Sequence, residues 1–187
     1  MKNNPPIQFK EGINVLMLID RGVANSNKGS KRWINKIIAS NNEEWDRAAE
    51  RLIELQIYLN NPDIRLYASI NSRSMTKAIK TFQHKQLDLS SDNEINFYRR
   101  INDSFCSCLM QPDCRTSSLF LLDCDAKEAT ELNAFTITNR DITMHCMYPT
   151  PNGWHAIMDP FNPILLEGYN TIELKKDALM LIDWIDQ

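Results

Sequence analysis

The chain reads as a single α+β domain, a sheet flanked by helices, and three observations point there. Its 187 residues, 43% of them hydrophobic, suit one ordinary domain and are short for two. Short apolar runs of strand length are interspersed with stretches of helical periodicity. No internal repeat, low-complexity tract or interdomain linker interrupts them, so one layer of sheet covered by helices is the economical arrangement. Residues 1–12 are expected to form a flexible N-terminal segment.

Residues 13–19, Ile-Asn-Val-Leu-Met-Leu-Ile, form an apolar run that ends at Asp20-Arg21-Gly22, a buried strand entering a loop. The polar and basic stretch from Val23 to Arg32 reads as that loop, and Trp33, Ile34, Ile37 and Ile38 then recur at helical spacing. A clearer helix follows Asn41-Asn42, with Glu43 and Glu44 in its first turn, an apolar face of Trp45, Ala48, Ala49, Leu52, Leu55 and Leu59, and a stop at Asn60-Asn61-Pro62. Residues 64–70 predict a second strand and 74–83 a helix. A longer helix is expected from about Asp92 to Met110, ended by Gln111-Pro112-Asp113. Ser117 to Asp123 is a strongly apolar strand, and Thr143–Tyr148 and Trp154–Met158 are strands joined through Pro149-Thr150-Pro151-Asn152-Gly153, a hairpin signal. Thr171–Leu174 and Ala178–Ile185 are short apolar segments whose type the pattern leaves open.

Lys and Arg total 21 against 24 Asp and Glu, a formal net charge of -3, which excludes a uniformly basic nucleic-acid coat while leaving room for a local basic groove. The densest basic loop holds Lys28, Lys31 and Arg32; Arg65 alternates with Tyr67 and Ser69 along one strand face, and Arg73 follows. These groups, with Lys175 and Lys176, could contact phosphate, the alternative being a solvated surface. No apolar run reaches the roughly 18 residues of a membrane span, so no membrane partner is expected. The stretch MKNNPPIQFKEG lacks a signal-peptide core, and the five cysteines are expected to be reduced, in a cytoplasmic protein. Zinc is not expected: Cys106 and Cys108 in a helix point their sulfurs apart, although Cys114, His145 and Cys146 are further ligand types.

The strongest site signal is Leu119-Phe-Leu-Leu-Asp123-Cys-Asp125. On a strand, residues i and i+2 share a face, so the two carboxylates would project together with their Cα atoms ~7 Å apart. Adjacent carboxylates repel, and Mg²⁺ or Mn²⁺ between them relieves the repulsion; a pair of solvated loop acids is the alternative. The second signal is Tyr148-Pro-Thr-Pro-Asn-Gly-Trp-His155, a turn that delivers a histidine to the start of a strand. Gly153 lets the backbone approach a ligand closely, Thr150 and the turn residues Asn152 and Gly153 offer donors, and His155 can donate to a phosphate. Asp159 shares a face with His155 if the strand continues, and otherwise ends it before Pro160.

Together these two motifs resemble the archaeo-eukaryotic primase superfamily, which includes the primase-polymerases of phages, plasmids and mobile elements. Its pattern is a hydrophobic strand with Asp-x-Asp, then Ser-x-His or Ser-Gly-x-Gly-x-His, then a hydrophobic strand with a third acid. The match covers about residues 117–159 and falls on Asp123, Asp125, Gly153 and His155; Gly153 stands where the family often has serine, with Thr150 a displaced substitute. The resemblance implies a modified RRM-like sheet and nucleotidyl transfer at two divalent metal ions, with His155 on the triphosphate of the incoming nucleotide. Asp123, Asp125 and either Glu173 or Asp177 would hold the metals, Asp183 being a further acid of the same kind. Arg73 and Lys175 would join Thr150, Asn152 and Gly153 at the nucleotide, and Lys28, Lys31, Arg32 and Arg65 would grip nucleic acid. The expected partners are nucleoside triphosphates, single-stranded or primed nucleic acid, and a helicase or another replication or defence protein. Two other functions use the same residues: a catalytically reduced module that binds nucleotide or single-stranded nucleic acid, and a metal-dependent nuclease or phosphoesterase.

Overall fold

The computed structural model describes residues 12–22, 32–88 and 94–185. Lys28, Lys31 and the N-terminal segment up to residue 11 lie outside these residues, and Arg32 is described by its backbone alone. The architecture is α+β, with antiparallel pairing throughout the two four-stranded sheets and helices flanking them.

The first sheet has the order β2-β1-β3-β8, from β1 (Asn14–Asp20), β2 (Arg32–Ala39), β3 (Ile64–Ser69) and β8 (Leu179–Trp184). The segment expected as a helix from the spacing of Trp33, Ile34, Ile37 and Ile38 is β2, paired along β1 from Asp20↔Arg32 to Asn14↔Ala39. Three β-branched isoleucines in eight residues favour a strand, and apolar residues on both faces of a sheet covered on both sides mimic helical spacing. Between β2 and β3 runs α1 (Asn42–Leu59). The Asn41 side chain accepts from the Glu44 N–H, Glu44 accepts from the Ser40 N–H, and Asn60 closes the far end at φ 45, ψ 45. It buries Ala48, Ala49 and Leu52 against the sheet.

The helix beginning after Ser74 is α2 (Met75–Leu87), capped by the Ser74 hydroxyl, which accepts from the Lys77 N–H. The longer helix expected over 92–110 is two, α3 (Glu94–Arg99) and α4 (Ile101–Leu109), parted at Arg100. Phe82 of α2 packs tilted against Phe97 and edge-on against Phe105, and Cys106, Leu109 and Cys114 pack with Val15, Met17 and Tyr67 of the first sheet.

The second sheet has the order β5-β6-β4-β7, from β4 (Phe120–Cys124), β5 (Met144–Thr150), β6 (Gly153–Met158) and β7 (Ile172–Lys175). A helix not read from the sequence, α5 (Thr130–Thr138), lays Leu132 and Phe135 on Leu122, Cys124, Ala156 and Met158. The chain therefore leaves the first sheet after β3, builds the second, and returns through residues 176–178 to add β8 beside β3. Leu16, Leu66, Met180 and Ile182 of the first sheet share one core with Leu121, Tyr148 and Ile157 of the second, which joins them in a single domain. Sheet pairing is thus divided in two where the sequence pattern suggested one layer. Among the described residues, no helix is long and apolar enough to cross a membrane.

Candidate functional site

The alternation of β4 separates its two jobs. Leu122 and Cys124 face α5, so Asp123 faces the other way, and the register sets it opposite His155 of β6 and Glu173 of β7. A histidine and two acids thus form one row across three strands. Asp125 follows the end of β4, its N–H donating to the Thr171 carbonyl, and its exposed side chain lines the same cleft.

His155 is 8% exposed, yet it is not a core histidine. Its Nε2 lies 3.2 Å from Asp123 Oδ1, and its Nδ1 lies 3.0 Å from the Tyr148 hydroxyl. A carboxylate only accepts, which places a proton on Nε2; Nδ1 of the neutral ring then accepts from Tyr148. Burial pushes the Tyr148 pKa up and keeps that donor protonated. The other Asp123 oxygen is paired with Lys175 Nζ, which also lies 3.1 Å from Glu173 Oε2. The hydrogen bond from His155, reinforced by Lys175, holds the Asp123 carboxyl well below the usual carboxylate range against the opposing effect of burial. For Lys175 burial works against the charge, but its bonds to Asp123 and Glu173 prevail and raise its pKa.

These groups form one wall of a cleft of about 600 Å³ between the two sheets. Thr150 and Asn152 border it from the β5–β6 hairpin, Arg65 and Tyr67 from β3 of the first sheet, and Arg21 from just past the end of β1. Arg21 Nη1 donates to the Tyr67 hydroxyl at 3.1 Å, while the buried Arg65 Nε has no hydrogen-bond partner among the described residues. Arg65 thus borders the cleft with one of its donor N–H groups unpaired, and guanidinium groups suit anions.

The hairpin turn is Pro151-Asn152, since Thr150 pairs directly with Gly153. Gly153 does admit a close neighbour, but the neighbour is β4: a Cβ there would collide with the Cys124 carbonyl oxygen. The glycine thus brings the hairpin against the end of the Asp-x-Asp strand, where the sequence suggested approach to a ligand.

Arg73, expected at a nucleotide, is 2% exposed and points elsewhere. Its Nη1 and Nη2 meet Asp177 Oδ2 and Oδ1 at 3.1 and 2.7 Å. With both its oxygens held by this fork, Asp177 borders the cleft as a structural anchor, and Glu173 is the third acid aligned with Asp123. Asp159 lies beyond the end of β6 and pairs with His145 at 2.8 Å. All five cysteines are free and buried.

The carboxylates of Asp123, Glu173 and Asp125 are hard oxygen donors that suit Mg²⁺ or Mn²⁺, and the ammonium shared by Asp123 and Glu173 marks where positive charge is drawn. Among the described residues no three His, Cys, Asp or Glu groups stand together as a ready metal cluster, and the place between Asp123 and Glu173 is held by Lys175.

Comparisons with family models, curated proteins and solved structures returned no match. The site therefore stands on its own geometry. The sequence reading named Asp123, Asp125, His155, Thr150, Asn152, Glu173, Lys175 and Arg65, which the fold brings to one cleft. It missed Tyr148 and Arg21. Tyr148 was within reach: a two-residue turn at Pro151-Asn152 pairs it with His155. Arg21 carried no signal beyond its place at a strand end.

Proposed function

We propose that the chain is a primase-polymerase-like nucleotidyltransferase that joins nucleotides on a nucleic-acid template with divalent metal ions. The observation that carries this reading is the row His155–Asp123–Glu173, facing Arg21 and Arg65 across one cleft. An acidic wall opposite a basic wall suits a nucleotide triphosphate, whose charge needs both a cation held by carboxylates and donors for its free oxygens.

Asp123, with Glu173 and Asp125, would hold Mg²⁺ or Mn²⁺, which supplies neutralisation of phosphate charge and activation of the attacking hydroxyl. Lys175, with its long stem, exchanges its carboxylate partners for a phosphate oxygen when the nucleotide arrives. His155 exchanges its Nε2–H bond to Asp123 for one to the triphosphate as Asp123 turns to the metal, and Tyr148 holds the ring in the tautomer and orientation that this requires. Arg65 and Arg21 close on the phosphates from the first sheet, and Thr150 and Asn152 border the nucleotide from the hairpin.

The test is incubation with labelled nucleotides, Mg²⁺ or Mn²⁺, and primed and unprimed templates. Product is expected with the native chain and at least about 100-fold less with Asp123→Asn, the scale of losing a metal-site group. Absence of nucleotide-dependent product in every condition overturns the reading.

The position of Lys175 on Asp123 and Glu173 favours one alternative, a catalytically reduced module that binds nucleotide or single-stranded nucleic acid. Saturable nucleotide binding without incorporation would identify it.

A further inference from the structure

A second groove, of about 510 Å³, lies outside the cleft between α2 and the segment that leads into β4. It is lined by Lys77, Lys80, Thr81, Arg115, Thr116 and Ser118, together with Pro112 and one acid, Asp113. In a chain of net charge -3, α2 carries Lys77, Lys80, His84 and Lys85 and no acidic residue. Lys77 and Lys80 are exposed, and among the described residues neither has a carboxylate partner. Residues three apart on a helix are neighbours, so these two ammonium groups present one face to the groove, beside Thr81, whose hydroxyl donates to the Lys77 carbonyl.

One contact links the groove to the cleft. Arg115 Nη1 donates to the Lys176 carbonyl at 3.3 Å, and Lys176 itself lines the cleft beside Asp177. Arg115 and Lys176 thus stand between the edge of the acidic site and the groove that Lys77 and Lys80 line. Spaced cations interleaved with hydroxyls suit a chain of phosphodiesters, because lysine, arginine, serine and threonine all contact phosphate oxygens without reading sequence.

We propose that this groove binds the phosphate backbone of a single-stranded nucleic acid on its way to or from the cleft. The proposal rests on the nucleotidyltransferase reading for its direction, but its binding chemistry is separate from Asp123 and His155. Strand grip on α2 and chemistry between the sheets are then carried by different surfaces of the molecule.

The experiment measures binding of a fluorescent single-stranded oligonucleotide by anisotropy across a salt series. It uses the native chain, Lys77→Ala/Lys80→Ala, and Asp123→Asn. Each phosphate contact on a single strand contributes about 0.7 to the slope of log K against log salt, so the double variant should lose about 1.4 of that slope. Its metal-dependent binding of a fluorescent nucleotide should stay at the native level. Asp123→Asn should behave the opposite way, losing nucleotide while retaining the oligonucleotide slope. An unchanged slope in the double variant overturns the proposed groove even if nucleotide binding at the cleft stands. Absence of nucleotide binding by the native chain, while its oligonucleotide slope still falls in the double variant, would instead count against the cleft reading alone. A polyglutamate chain of similar charge is the control, and equal binding of it, lost equally in the double variant, overturns nucleic acid as the occupant.

Discussion

The ion pair of Lys175 with Asp123 and that of Asp177 with Arg73 flank Lys176 at the same end of β7, and they behave as opposite devices. The Arg73 side chain is 0% exposed and meets Asp177 through two parallel hydrogen bonds. Asn71 adds bonds from its amide group to the Lys176 carbonyl and to Asp177 Oδ1, and its carbonyl oxygen accepts from the Leu119 N–H. The fork is rigid and desolvated, so it locks the connection between the sheets to the end of β3. The Lys175 side chain is 36% exposed, ends in a point charge on a flexible stem, and divides itself between Asp123 and Glu173. The same pairing of opposite charges is a fixture in one place and an exchangeable counter-ion in the other. Burial and the planarity of the cation decide which.

Removing each cation in turn is the sharpest way to break this contrast. Arg73→Ala leaves Asp177 facing a cavity without its partner and should cost about 3–5 kcal/mol, read as a lowered urea midpoint. A loss under about 1 kcal/mol would mean that the fork is not a lock. Lys175→Met should change stability by no more than about 1 kcal/mol, because an accessible pair contributes little. Its effect should fall on ligand binding instead: nucleotide affinity is expected to drop about tenfold, the equivalent of about 1.4 kcal/mol for one charged contact. Equal destabilisation by the two variants would erase the distinction.

Acid titration gives a subtler separation. The Asp123 pKa is depressed in the folded chain, by His155 first and by Lys175. Its contribution to stability is therefore complete above the unfolded carboxylate value of about 3.9 and is lost as pH falls towards the folded value. Urea unfolding between about pH 5 and 2 should show a shallower acid loss in Asp123→Asn than in the native chain. Parallel acid limbs would show that the His155 and Lys175 contacts do not bias the carboxylate in solution.

Much of this was legible in local pattern, and the reasons differ by element. The period-two alternation of β4 put Asp123 on the face away from Leu122 and Cys124, and proline with Asn-Gly marked the β5–β6 turn. Asn41 and Asn60 bracketed α1 by their capping chemistry. The reading failed at β2, where Trp33, Ile34, Ile37 and Ile38 satisfy a helical spacing, and only pairing with β1 decides for a strand. It failed again at α5, whose apolar residues form no clear stripe and whose contacts come from the second sheet. Arg73 and Lys175 show the same limit at the site. Each was recognisable as a cation for an anion, but the identity of the anion depends on residues more than fifty positions away.

What the sequence by itself determined is the inventory: a strand ending in Asp123 and Asp125, a hairpin delivering His155, and a set of basic residues too few to coat the surface. Side-chain periodicity and turn chemistry are local, so they survive without a fold. What only the tertiary structure decided is who faces whom. Register between strands distant in the chain set Asp123 against both His155 and Glu173, and the return of β8 to the first sheet brought Arg21 and Arg65 across from them. The physical reason is that pairing of distant strands is chosen by burial of whole faces at once, and no single segment carries that information.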